Sequence, residues 1–120
     1  MEQRWNIRMP VRTQVCIRSP DAGTIAGRTR DLSFEGMYVE TSPDSVSAHT
    51  FVQVEFAVRD GADWAVVKTP AMIVRSSDDG VGLMFPDYDD TVFDGLALLL
   101  AHYFSKQQLS RPHHAGALLS

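Results

Sequence analysis

Two short groups of residues have types and spacings that could do chemistry. Arg4 and Arg8 stand four positions apart near the N-terminus, and Asp31, Ser33 and Gly36 lie close together further along. Arginine carries a planar fork of donors that matches phosphate oxygens. The same fork matches the O6 and N7 edge of guanine. Two such forks on one short segment can grip a single compound that holds both groups. Asp31 can accept hydrogen bonds from a guanine N1–H and N2–H. Spaced two apart on a strand, Asp31 and Ser33 are expected on one side, where Ser33 can donate to a phosphate or hold the local turn. Gly36 permits a positive backbone dihedral and a close approach of ligand to backbone. The plainer reading is a hairpin corner, with Asp31 and Ser33 bonding local backbone and Gly36 making the turn.

Few other residues offer chemistry. Trp5 can stack on a base or pack beside the arginines. Arg28 and Arg30 share a strand face, either adding charge to a pocket or sitting in solvent. Asp78-Asp79 and Asp89-Asp90 are adjacent pairs in turns, where they serve as turn formers or helix caps. Cys16 is the single cysteine, which excludes an internal disulfide and reads as an inert small residue. His49 and His102 are isolated, and His113 and His114 have no spaced third ligand, so no metal site is expected. No nucleophile–base order emerges, so no catalytic residue is assigned and the protein is read as not an enzyme.

Charge narrows the ligand. The net charge is −4, but residues 1–34 carry six arginines against three acids, while the remainder carries five bases against twelve acids. An arginine-rich start on an otherwise acidic chain favours a small anionic ligand and disfavours a long nucleic acid. The N-terminus has no apolar run and does not read as a signal peptide. The longest apolar run, residues 96–101, is too short to cross a bilayer. The expected location is the cytoplasm, without membrane insertion.

The elements that position these residues emerge from periodicity. The 120 residues suit one domain, and with 44% apolar residues the chain can build its own core. Val11, Thr13, Val15 and Ile17 alternate with polar neighbours, as in a half-buried strand. Residues 24–33, 36–41, 51–59, 64–75 and 81–85 read as five more strands, separated by turn residues such as Ser19-Pro20-Asp21-Ala22-Gly23 and Asp60-Gly61. Pro70 implies an edge or a bulge in the fifth strand. From Val92 the period changes to three and four, through Phe93, Leu96, Leu99, Leu100, Tyr103 and Phe104, which is an amphipathic helix. Thr91, with Asp94 three residues on, is its expected cap. Gly95 is expected to weaken it, and Leu98 lies off its stripe. This predicts an all-β antiparallel barrel with a C-terminal helix. The division is a mobile segment at 1–10, the barrel plus helix at 11–108, and a tail at 109–120.

With the elements in place, the two residue groups together resemble the PilZ family. Its signature is R-x-x-x-R before the first strand and D/N-x-S-x-x-G after the second. Arg4 and Arg8 match the first part; Asp31, Ser33 and Gly36 match the second. The last strand, Gly80-Val81-Gly82-Leu83-Met84-Phe85, is similar to the family's. Asn6 departs from the aromatic or apolar residue often found inside the first motif. The resemblance implies a six-stranded antiparallel PilZ-type β-barrel that binds cyclic di-GMP through Arg4, Arg8, Asp31, Ser33 and Gly36. Gln3, Trp5 and Arg30 are secondary candidates, Gln3 because its position bears on whether one ligand or an intercalated pair is held. No cofactor is implied. Such a receptor signals to a protein effector in motility, biofilm or exopolysaccharide control, as a monomer or homodimer. Two other readings stand beside it: a degenerate PilZ domain working as a ligand-independent interaction module, and a barrel for single-stranded nucleic acid, which would need a basic groove with interleaved aromatics.

Overall fold

The alternating stretches form strands that close on one another, the first beginning at Gln14 and not at Val11. The computed structural model describes residues 8–41 and 47–110. The strands are β1 (Gln14–Ser19), β2 (Gly23–Leu32), β3 (Gly36–Glu40), β4 (Phe51–Asp60), β5 (Asp63–Ser77) and β6 (Gly80–Met84), and helix α1 (Asp90–Ser110) comes after them. Every pairing is antiparallel, and the order β1-β2-β3-β6-β5-β4 closes into a barrel through β1 and β4. Closure removes exposed sheet edges. The β1–β2 turn is held by Ser19, whose Oγ accepts from the amides of Asp21 and Ala22 at 3.3 and 3.2 Å. Gly23 and Gly61 supply the positive φ that the β1–β2 and β4–β5 hairpins need.

The alternation places one face of each strand inside. Ile17, Val39, Val54, Ile73 and Val81 are fully buried. Two threonines, Thr29 and Thr69, share this interior. Thr29 satisfies its hydroxyl by donating to the Val11 carbonyl and accepting from the Thr13 amide at 2.9 Å. Pro70 lies opposite Gln53 of β4, while the β5–β6 ladder begins only at Met72. The proline therefore sits where β5 lacks a second neighbour, the edge position its missing N–H requires.

Helix α1 packs on β4 and β5, burying Val92, Leu96, Leu99 and Leu100. Two expectations change here. The cap is Asp89, not Thr91: its carboxylate accepts from the Val92 amide at 3.1 Å. The helix starts at Asp90, so Thr91 already lies inside it. Gly95 is not merely a weak helix residue. It is buried, and a Cβ there would lie 2.4 Å from a Val67 methyl, so its absence lets helix and barrel approach. Phe104 falls outside the core at 53% exposure, because the apolar stripe outruns the barrel surface beneath it. Tyr103 anchors this end by donating from its hydroxyl to the Arg12 carbonyl.

Two bulges reset which side chains face outward on β2 and β5. The β2–β3 register shifts between Thr29 and Asp31, and the β5–β6 register shifts between Ile73 and Arg75. A bulge puts two consecutive residues on the same face. Thr29 and Ile73 point inward, and after them Arg30 with Asp31, and Val74 with Arg75, all lie toward the outside.

Candidate ligand-binding site

The bulges assemble a row across four strands on the outer barrel wall. Asp31 of β2 is opposite Tyr38 of β3; Tyr38 is opposite Gly82 of β6; Gly82 is opposite Arg75 of β5. Directly opposed residues share a face. Arg8 reaches the same row because its neighbour Met9 forms an antiparallel bridge with Leu32 through two 2.9 Å hydrogen bonds. The guanidinium of Arg8 then pairs with the Asp31 carboxylate. A cavity of about 530 Å³ lies over the row, lined by Arg8, Asp31, Tyr38, Val74, Arg75, Gly82 and Leu83. Its size falls in the range that takes small ligands.

The predicted site residues divide by position. Arg8 and Asp31 come together at the cavity. Gln3, Arg4 and Trp5 lie outside the described residues. Ser33 does not share a face with Asp31, contrary to the expectation from their two-residue spacing. The bulge turns Asp31 outward, and Ser33 lies past the strand end, only 2% exposed. Its amide donates to the Gly36 carbonyl at 2.9 Å, and its Oγ accepts from the amides of Glu35 and Gly36 at 3.1 and 3.2 Å. In this conformation Ser33 holds the turn. Gly36 has no positive φ; the close approach it permits is that of the Leu83 carbonyl, 2.1 Å from where a Cβ would stand.

The corner that carries these residues is braced against the helix. Phe34 stacks on Phe93 with ring centroids 4.9 Å apart, and the Tyr88 hydroxyl donates to the Phe34 carbonyl at 2.7 Å. Burial, with the nearby Glu35 charge, pushes the Tyr88 phenol above its ordinary pKa.

Arg30 is committed elsewhere. It donates to Glu40 at 3.0 Å and to Asp79 at 2.6 Å, and its guanidinium carbon lies 4.4 Å from the Tyr38 ring centroid. The bonds to Asp79 and then Glu40 hold the Arg30 pKa up. The Tyr38 hydroxyl donates to Asp79 at 2.6 Å and lies 2.7 Å from Ser77 Oγ, which acts as donor to it. The Tyr38 bond, then that of Arg30, keeps the Asp79 carboxyl below the usual range. Arg30 and Arg12 do the same for Glu40. Tyr38 is thus fixed at its hydroxyl end and covered by an arginine. The sequence reading missed Tyr38, Arg75 and Gly82. Tyr38 and Gly82 carry a faint signal, two residues beyond Gly36 and within the Gly-x-Gly string; Arg75 carries none.

Among the described residues no cluster could hold a metal ion, and no helix is long and apolar enough to cross a membrane. The arrangement is an open, arginine-lined depression suited to binding an anionic small molecule, and among the described residues no nucleophile–base pair lines it.

The closed six-stranded barrel with its C-terminal helix defines a domain of the PilZ type. The PilZ domain family model matches residues 2–104, and the chain belongs to the PilZ family. PilZ domains are in general cyclic di-GMP receptors, binding and adaptor domains that do no catalysis. The chain is similar to the PilZ domain of CeSA from a cellulose-synthesizing bacterium, at 25% identity and TM-score 0.65, covering 81% of this chain and 98% of that one. It also has the fold of the Bacillus subtilis inhibitor of motility MotI/DgrA, at 17% identity and TM-score 0.67 over 88% of this chain. It spans about half of that protein, 52%. No curated protein matches the chain.

Proposed function

We propose that this protein is a cytoplasmic cyclic di-GMP receptor that passes ligand occupancy to a protein effector. The observation that carries the reading is the meeting of Arg8 and Asp31 over one cavity from sites 23 residues apart in sequence. Without ligand each neutralises the other. A bound guanine dinucleotide satisfies both, its N1–H and N2–H donating to Asp31 while a phosphate or guanine edge accepts from Arg8. Arg4, Ser33 and Gly36 complete the motif, with Gln3 and Trp5 as secondary contributors, while Arg30 stays paired with Glu40 and Asp79. Exchange of the Arg8–Asp31 pair for ligand contacts shifts residues 1–10, and with them the surface offered to a partner. The inhibitor of motility and the cellulose-producer's domain make motility and exopolysaccharide control the natural output classes.

Isothermal titration calorimetry with cyclic di-GMP, with GTP and a linear guanine dinucleotide as controls, tests this. Selective binding is expected, and Arg8→Ala should weaken it by about tenfold to a hundredfold, one charge-assisted bond of about 1.5–3 kcal/mol. No binding heat would sink the receptor reading. It would leave a barrel working by protein contact, for which the exposed Trp64 (64%) and Leu98 (39%), lining one groove between the β4–β5 hairpin and the helix, are the available surface.

A further inference from the structure

Arg75 differs from the other arginine of the cavity. Arg8 has a carboxylate partner; Arg75 has none among the described residues. It is exposed, and its guanidinium carbon lies 5.5 Å from the centroid of the Tyr38 ring. Arg8 and Asp31 cancel, so Arg75 leaves the cavity with an unmatched positive charge. Beside it, Gly82 is unlike its neighbours on the barrel wall. A Cβ at Gly36 or Gly80 would stand 2.1 Å from a backbone carbonyl, so packing demands glycine there. At Gly82 a Cβ would meet nothing nearer than 3.7 Å, an ordinary contact, and its φ is not positive. Neither strain nor packing asks for glycine at this position, yet a side chain there would project into the cavity.

We propose that Arg75 is a ligand-contacting residue that receives a phosphate of the bound dinucleotide, and that Gly82 is bare to leave that phosphate room. The proposal rests on the receptor reading above. Tyr38, tied down by Asp79 and Ser77, forms the floor against which Arg75 is held. The bulge at Val74 turns Arg75 outward over this floor.

The experiment is calorimetric titration of cyclic di-GMP into wild type, Arg75→Gln, Gly82→Val and, as a charge control, Arg28→Gln, with a thermal melt of each. Arg28 is an exposed arginine outside the cavity lining. Arg75→Gln should lose about tenfold to a hundredfold in affinity, and the dependence of its Kd on salt should be shallower than wild type's, because one screened charge contact is gone. Gly82→Val should bind as weakly while melting like wild type; should valine lower the melting temperature, Gly82→Ala carries the test. Arg28→Gln should bind within about twofold of wild type. If wild type binds and the Arg75 and Gly82 variants bind equally well, the proposal is overturned while the receptor reading stands. Equal losses in Arg28→Gln and Arg75→Gln would also overturn it, since general charge would then explain both. If wild type itself does not bind, both fall together.

Discussion

Gly36 offers the sharpest test of what the motif residues do. Its sequence context admits a role toward ligand, but the structure sets it against the barrel's own backbone. In Gly36→Ala the new Cβ would stand 2.1 Å from the Leu83 carbonyl oxygen, and real Cβ contacts are essentially never under 3.0 Å. The oxygen must therefore retreat by about 1 Å. It belongs to β6, paired with β3 at Gly36↔Met84 and Met37↔Leu83, so the retreat stretches that ladder at the corner that Ser33 holds. Overpacking of this kind costs about 1–3 kcal/mol. For a domain of this size each kcal/mol lowers the melting temperature by about 4–8 °C. A fall of about 5–20 °C is expected by calorimetry or circular dichroism. A variant that melts within about 2 °C of wild type would refute the packing argument. If that variant also lost cyclic di-GMP, the role of Gly36 would lie toward ligand.

The packing and the charges predict further outcomes. Leu96 is fully buried where the helix meets the barrel, so Leu96→Ala should cost about 2–5 kcal/mol in denaturant unfolding; a cost under about 1 kcal/mol would mean that the helix is not part of the cooperative core. Glu40, Glu55 and Asp79 have carboxyls held low by their arginine and tyrosine partners. Their contribution is complete above the ordinary values of 4.5 and 3.8 and is lost as pH falls through the lower folded values. Melting temperatures should therefore drop below about pH 4, less steeply in a Glu40→Gln, Asp79→Asn double variant. At the other end, the raised Tyr88 pKa favours the folded state below its ordinary value of 10.0, and that contribution is lost as pH climbs above it. Tyr88→Phe should remove this alkaline loss, and an unchanged profile would show that the phenol does not titrate with folding.

Much of the barrel is legible in the sequence because alternation has a physical cause. A strand exposes one face to a core and the other to water, so Val52, Val54, Phe56 and Val58 announce β4 before any coordinates are known. The change of period at Val92 announces the helix for the same reason. The motif residues Arg8 and Asp31 are likewise readable, since only a few residue types recognise phosphate and guanine. What alternation cannot show is a residue that breaks it. The bulges at Arg30 and Val74 reverse the face of the strand residues after them, so Asp31 and Arg75 turn outward, while β2 ends at Leu32 and leaves Ser33 in the turn. Nor does the sequence say that β6 inserts between β3 and β5, the pairing that sets Gly82 between Tyr38 and Arg75. Composition and periodicity determined the class of fold, and the motif residues determined the resemblance to the PilZ family. Barrel closure and two one-residue register shifts decided which side chains meet over the cavity, because register depends on long-range pairing that local sequence does not encode.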